Sequence, residues 1–310
     1  MIFSANSTSP VLRIGTRDSR LALWQAGLVQ EKLEALGHSC ELVPVKSEGD
    51  IDTITPLYEM GVQGIFTRSL DSALLNGRVD LAVHSFKDVP TRLATGIAIA
   101  AVLERGNTLD LCLLRDGVAV EQHDLVIGTS SIRRRAQWIR RHRAHHMQDL
   151  RGNIDTRLRK LQMDGYDGVI MAAAGLERAG VRPANAIELD WMLPAPSQGA
   201  IVIVCREQDQ TSMRCVAPLD HASTALSTAL ERDFLRHLHG GCSSPIGALA
   251  TIEENEVRFR GNVLSVDGKE MMEVEMTELI GNDAASLGLR AAEELLRQGA
   301  DLLIGKQTSA

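Results

Sequence analysis

Val126-Ile127-Gly128-Thr129-Ser130-Ser131-Ile132-Arg133-Arg134-Arg135 reads as a strand that ends in a hydroxyl-rich turn and continues as a helix. A β-branched pair gives way to Gly128, Ser131 stands where an N-cap is needed, and three guanidiniums crowd the first helical turn. Strand, turn and helix in that order form half of a βαβ unit, the building block of an α/β sheet. The N–H groups and the positive dipole end at such a helix start favour an anion in front of it. A lone pair of arginines there reads better as the solvated charge of a capped surface helix, which contributes little.

The next basic run tilts that balance. In Leu150-Arg151-Gly152-Asn153-Ile154-Asp155-Thr156-Arg157-Leu158, Arg151 falls at a strand end and Arg157 in the first turns of a helix. Strand carboxyl ends of an α/β sheet open on one crevice. Both runs therefore meet at one mouth, and a ligand with several carboxylates or phosphates follows. Residues 128–160 hold ten basic and two acidic side chains, a net of +8 in a chain whose total is −7. Of the 33 basic residues 27 are Arg, the side chain whose planar fork grips carboxylates bidentately. Arg140, Arg141 and Arg143 read as a solvated face. His142, His145 and His146 sit among arginines that repel a metal cation, and no metal is indicated.

Outward from this segment the α/β pattern repeats. Strands are expected at 11–15, 41–45, 79–83 and 97–103, with helices at 20–36, capped by Ser19, and 67–75. The Gly-, Asp- and Thr-rich stretch 47–64 reads as a loop, functional or mobile. The pattern restarts after Gly106, with strands at 111–114, 125–127, 147–150 and 168–172 and helices at 131–143 and 154–163. Pro183, Pro194 and Pro196 mark a break, after which 200–205 is a hydrophobic strand placed to return to the first sheet. The last ninety residues differ in kind. A helix at 222–238 stops at Gly240-Gly241, strands follow at 246–252, 256–263 and 269–276, and an amphipathic helix closes at 284–297. The fold class is α/β: two lobes around a cleft, plus a small C-terminal α+β domain with a three-stranded antiparallel sheet. The expected domains are 1–104 with 199–219, 105–198, and 220–310.

Composition narrows the function. The 310 residues are 44% hydrophobic and 24% charged, which is globular and not disordered. No apolar run reaches the roughly 18 residues of a membrane span. The polar start lacks a signal-peptide layout, so a cytoplasmic protein is expected. Five cysteines without a Cys-x-x-Cys pair argue against a disulfide framework and a structural zinc site. With aromatics at 3%, stacking platforms for single-stranded nucleic acid are scarce.

Two further runs carry chemistry. His84-Ser85-Phe86-Lys87-Asp88-Val89-Pro90 follows a strand, and a neighbouring cation favours the carboxylate form of an aspartate. An ionised carboxylate there is suited to stabilising a developing cation, although Asp before Pro is also a plain turn signal. His84 reads as a hydrogen-bonded structural residue. In Gly240-Gly241-Cys242-Ser243-Ser244-Pro245 a thiol stands in a flexible loop just past a helix, accessible in a way that a core cysteine is not, although a free cysteine is more often just a small hydrophobe.

Together with Ile14-Gly15-Thr16-Arg17-Asp18-Ser19, Leu21-Ala22-Leu23-Trp24-Gln25-Ala26, Ala173-Ala174-Gly175-Leu176 and Gln198-Gly199-Ala200, these runs resemble the porphobilinogen deaminase (hydroxymethylbilane synthase) family over nearly the whole chain. The resemblance implies two lobes folded like solute-binding proteins and a third domain. It implies a transferase of haem and tetrapyrrole synthesis that joins four porphobilinogen molecules, losing ammonia at each step, and releases linear hydroxymethylbilane. It further implies a covalent dipyrromethane cofactor in thioether linkage to the loop cysteine, which matches Cys242. Asp88 matches the aspartate that contacts pyrrole N–H groups and stabilises the cation left by ammonia loss. Arg17 and Ser19 match residues near the reacting ring. Ser85, Lys87, Thr129, Ser131, Arg133, Arg134, Arg151 and Arg157 match groups that bind acetate and propionate arms, and Gln198 matches a residue at the hinge and cofactor cavity. A monomer is expected, with porphobilinogen as its partner and neither nucleic acid nor membrane.

The chain departs from the family pattern at Val62-Gln63-Gly64, where Gly-Lys-Gly is common, and at Glu59, where Lys is frequent. Val204 replaces a frequent Glu, and Ser197 stands where Gly is usual. Two other classes compete with the transferase: a two-lobed polycarboxylate-binding protein without chemistry, and a nucleic-acid binder using the +8 segment. Retention of both Asp88 and Cys242 counts against the first, and the absence of a groove-reading motif counts against the second.

Overall fold

A computed structural model describes residues 11–46, 64, 67–163, 165–181, 185–240, 244–281 and 283–305. Cys242, Glu59, Val62, Gln63 and nearly all of the expected loop 47–64 lie outside them. The first sheet has the order β2-β1-β3-β10-β4, from β1 (Leu12–Arg17), β2 (Cys40–Val45), β3 (Leu81–Ser85), β4 (Ile97–Val102) and β10 (Ile201–Arg206). β1 runs parallel to β2 and β3, whereas β10 is antiparallel to both β3 and β4. β10 lies between two strands with both faces covered, which is why Ile-Val-Ile-Val-Cys is apolar without alternation and fully buried. Val204, at the position of a frequent family Glu, is part of that apolar layer. Helix α1 (Arg20–Ala35) covers one face, its first turn capped by Ser19, whose Oγ accepts from Ala22 N. Helix α2 (Arg68–Leu75) covers the other.

The second sheet has the order β7-β6-β8-β5-β9: β5 (Asp110–Leu114), β6 (Val126–Gly128), β7 (His146–Gln148), β8 (Gly168–Ala172) and β9 (Ala186–Glu188). β6 is parallel to β7 and β8, and β5 is antiparallel to β8 and β9. Helices α3 (Ile132–Arg141), α4 (Ile154–Met163) and α5 (Ala173–Arg178) flank it. The short edge strand β9 and helix α5 escape a periodicity reading, because three residues and a run of six give too few repeats to register. Two chain segments join the sheets and pair with each other, Leu103 N donating to Ile201 O at 3.0 Å and Gly106 N to Gly199 O at 3.1 Å. Gly199 has φ +87, and a Cβ there would stand 2.7 Å from Gly106 O, so this crossing needs glycine.

After helix α6 (Gln210–Val216), helix α7 (Ala222–His237) packs on the third sheet, β11-β12-β13 (Ile246–Glu253, Glu256–Leu264, Met271–Leu279), with helix α8 (Leu287–Arg297) and the short α9 (Ala300–Gly305). α8 reads Leu-Gly-Leu-Arg-Ala-Ala-Glu-Glu-Leu-Leu-Arg and buries Leu287, Ala291, Ala292 and Leu295, one helical face. Arg140, expected on a solvated face, instead donates to Gly268 O and Lys269 O and ties α3 to the third sheet.

One buried carboxylate holds all three parts. Glu231 on α7 is fully buried, accepts from Arg105 at 2.6 and 3.0 Å, and accepts from the backbone N–H groups of Ser197 and Ala250 at 2.6 and 2.8 Å. Arg105 and Ser197 belong to the two crossing segments, and Ala250 to β11. Ser197 itself is strained. Its φ is +64, its side chain is fully buried, and its Oγ has no hydrogen-bond partner among the described residues. That accounts for glycine as the usual family residue there. Ser197→Gly is expected to stabilise the protein by about 1 kcal/mol, read as a higher midpoint in calorimetry. A lowered midpoint would show that the left-handed turn at 197 carries no strain.

Candidate functional site

The site forms where β1, β3 and the first turns of α3 and α4 converge on the crossing segments. From the first lobe, Arg17 ends β1, Ser19 caps α1, Ser85 ends β3, and Lys87 and Asp88 lie in the 3-10 turn Phe86–Asp88. A small cleft of about 50 Å³ is lined by Arg17, Ser19, Gln25, His84, Ser85 and Asp88, among others. Gln25 Nε2 donates to Ser85 Oγ at 2.9 Å and fixes the hydroxyl at its rim. Strand geometry explains the grouping: the chain ends of neighbouring parallel strands open on the same side.

His84 is buried, and among the described residues its Nε2 finds no hydrogen-bond partner. Burial, reinforced by Arg17, drops its pKa to about 4, so the ring is neutral at pH 7.

From the second lobe, Ser131 caps α3, its Oγ accepting from Arg134 N, and Thr129 Oγ1 accepts from Ser131 N at 3.2 Å. Arg133 and Arg134 follow in the first turn, both buried. Neither simply points into the crevice. Asp110, the fully buried first residue of β5, accepts from Arg134 Nε and Nη2 at 3.1 and 2.7 Å, and Arg133 Nη2 lies 2.8 Å from its other oxygen. Arg134 Nη1 also donates to Ile170 O, and Arg133 Nη1 to Leu193 O. Burial opposes ionisation of Asp110, but the two guanidiniums outweigh it and hold the carboxyl well below its usual range.

Gln198 completes this centre. Its Nε2 donates to Asp110 Oδ1 and Thr108 O, both at 2.9 Å, and its Oε1 accepts from Lys87 Nζ at 3.5 Å. One amide thus links the first-lobe turn that carries Asp88 to the second-lobe carboxylate that holds the arginines. Arg151 is buried and Arg157 partly buried, with Arg157 Nε donating to Gly152 O at 2.8 Å. The cations feel one another. Burial, Arg134 and Arg133 lower Lys87 to about 8 against the pull of Asp88 and Asp110, and burial with Arg134 and Arg151 lowers Arg157 to about 10. Arg157 also feels Asp88 across the lobes. The structure therefore brings Asp88, Lys87, Gln198, Arg133, Arg134 and Arg157 into one electrostatic cluster.

Two residues of this site were not singled out in the sequence. Asp110 sits in Thr-Leu-Asp-Leu, and its only signal is a charge opening an otherwise apolar strand. Arg232 of α7 donates to Val89 O and Pro90 O at 2.9 and 2.5 Å and stacks over Phe86 at 4.4 Å, bracing the Asp88 turn from the third domain. Nothing local in its helix marks it for that contact.

A cradle with more cations than carboxylates beside Asp88 is chemically suited to a polycarboxylate such as dipyrromethane, whose acid arms would compensate the burial and the mutual repulsion that lower Lys87 and Arg157. Comparisons with known proteins point the same way. The family model described as "Porphobilinogen deaminase, dipyromethane cofactor binding domain" matches residues 12–214, and "Porphobilinogen deaminase, C-terminal domain" matches residues 225–297. The porphobilinogen deaminase of Syntrophotalea carbinolica is 41% identical over 303 residues, covering 96% of each chain. That of Pelotomaculum thermopropionicum is 41% identical over 295 residues, covering 93% of this chain and 94% of the relative. Among solved structures, a periplasmic substrate-binding protein of an ABC transporter from Coxiella burnetii overlaps 71% of this chain and 96% of its own at 13% identity, with a TM-score of 0.42, too slight a likeness to bear on activity. On its sequence matches over almost its full length, the chain belongs to the porphobilinogen deaminase family.

Proposed function

We propose that this chain joins four porphobilinogen molecules, with loss of ammonia at each step, on a dipyrromethane primer held by Cys242, and that water then releases the product as linear hydroxymethylbilane. The observation that carries the reading is the cation-rich cradle around Asp88 and Asp110. Each pyrrole brings two carboxylates, so a growing chain needs a site whose own charges repel one another until an anion arrives. Lys87, Arg157 and Arg151 would hold acid arms of the cofactor and substrate. Ser85, Thr129 and Ser131 add hydroxyls at the same mouth, and Arg17 and Ser19 flank the reacting ring. When attached, the dipyrromethane supplies the pyrrole carbon to which the first unit is joined.

The protein's own groups supply the rest. Departure of ammonia from porphobilinogen breaks a C–N bond and leaves a positively charged methylene-pyrrole. The Asp88 carboxylate stabilises that cation electrostatically and accepts from the ring N–H. Arg133 and Arg134 are fixed by Asp110, so their positive charge beside the mouth is in place without reorganisation. Gln198 holds Lys87 against the same centre. The enzyme is read as a cytoplasmic monomer that binds no nucleic acid. In support, Arg133, Arg134 and Arg151 of the +8 segment are buried and not laid out on an exposed stripe.

Asp88→Asn is expected to lower turnover by at least about 100-fold with the fold intact; near-normal rates in a porphobilinogen assay would remove its role. Intact-mass spectrometry is expected to find the purified chain heavier by a two-pyrrole unit, and Cys242→Ser to lack it; a loaded serine variant would relocate the attachment.

Asp110→Asn leaves two buried guanidiniums uncompensated and is expected to cost about 3–5 kcal/mol at pH 7, measured by urea unfolding. Because the folded carboxyl has a depressed pKa, its contribution is complete above the unfolded value near 4 and falls away as the pH drops through the folded one. The gap between wild type and variant should therefore narrow below about pH 4.

Lys87 loses its proton as the pH rises through about 8, which weakens carboxylate binding by the free enzyme. The alkaline limb of kcat/KM should begin there, and Lys87→Arg should move it upward; an unmoved limb would take Lys87 out of substrate binding.

A further inference from the structure

At the far end of α3 from the deaminase site, roughly 15 Å along the helix at 1.5 Å per residue, the second lobe opens a separate cleft of about 650 Å³. That volume is within the range of small-molecule sites. Its floor is a cluster of rings. Trp138 and His142 stack at 4.6 Å and 29°, His142 and His145 at 5.0 Å and 15°, Trp138 lies 5.9 Å from His145, and Trp191 stands 6.1 Å from both Trp138 and His142. The cluster is rigid at its base. Trp138 is fully buried and donates through Nε1 to His145 Nδ1 at 3.2 Å, which leaves His145 Nε2 to donate to Gln122 O at 2.9 Å. The ring nitrogens of His142, by contrast, have no hydrogen-bond partner among the described residues.

The rim carries both signs of charge. Arg141 lies over Trp191 at 4.8 Å, and Arg143 stands beside it, while Glu121, Glu188 and Asp190 line the same opening. Among the described residues none of these five makes an ion pair, although acids and guanidiniums share one small mouth. Guanidinium and carboxylate groups that could neutralise one another, yet are held apart around an aromatic floor, match a ligand that is flat and carries both charges. A simple anion would face three acids, and a simple cation two arginines.

We propose that this cleft binds a small flat aromatic molecule bearing both an ammonium and a carboxylate, stacked on His142 and Trp191, with Arg141 on its acid and the rim carboxylates on its amine. Porphobilinogen is itself such a molecule, so the substrate is one candidate occupant; that step rests on the function proposed above. A substrate held here would be bound outside the cradle and would not enter the reaction from this position.

The test uses 4-(aminomethyl)benzoate, a flat ring with both charges, against benzoate and benzylamine, with the fluorescence of the purified full-length protein as the readout. Two of its three tryptophans line the cleft. The expected result is a saturable change with the zwitterion, at least about tenfold weaker with either singly charged ring. Arg141→Ala should weaken it by about tenfold again while porphobilinogen turnover stays unchanged, and Trp191→Phe should reduce its amplitude. No saturable change, or one that Arg141→Ala leaves intact, would overturn the site. Normal turnover without zwitterion binding removes the cleft and leaves the deaminase reading standing; binding without turnover does the reverse. Porphobilinogen titrated into Asp88→Asn, with and without Arg141→Ala, then decides whether the substrate is among the occupants.

Discussion

Asp110 is a carboxylate with no solvent exposure, and the candidate site is arranged around its charge. A lone buried carboxylate is costly, and so is a lone buried guanidinium; together they are tolerated only with close geometry and further hydrogen bonds. Here Arg134 makes two contacts to one oxygen, Arg133 lies against the other, and Gln198 donates to the first. Gln198 also touches Lys87, which precedes Asp88. The positions of the arginines, the crossing segment and the Asp88 turn are thus coupled through one ion.

Glu231 plays the corresponding part between domains. It joins Arg105, Ser197 and Ala250, one from each crossing segment and one from the third sheet. Its neighbour Arg232 reaches forward to the carbonyls of Val89 and Pro90. Adjacent residues of one helix thus fix the crossing point and the Asp88 turn, which gives the C-terminal domain a part in shaping the site besides the loop that holds Cys242. The strained Ser197 sits where these restraints meet, and the surrounding hydrogen bonds hold the conformation that its side chain disfavours.

Much of this was legible in the chain. Strands such as 126–128 and 168–172 announce themselves by β-branched runs and turn residues, and the caps Ser19 and Ser131 by their place before helical periodicity. The cradle residues stood out because cations concentrated after strand ends are hard to explain as surface. What stayed hidden were the contacts between distant positions. Arg140 gave no sign that it reaches Gly268 and Lys269, Arg232 looked like one more helical cation, and Asp110 like a stray charge at a strand start.

The sequence alone determined the alternation of elements, the charge segregation of residues 128–160 and the set of side chains available for chemistry, because these depend on local spacing and residue type. Tertiary structure decided how those charges are used. It turned Arg133 and Arg134 inward onto Asp110, buried His84 as a neutral ring, and set Trp138, His142 and Trp191 around a second cleft. The physical reason is that a charge or a polar atom takes its role from what burial places beside it, and burial is settled only when segments a hundred residues apart come together.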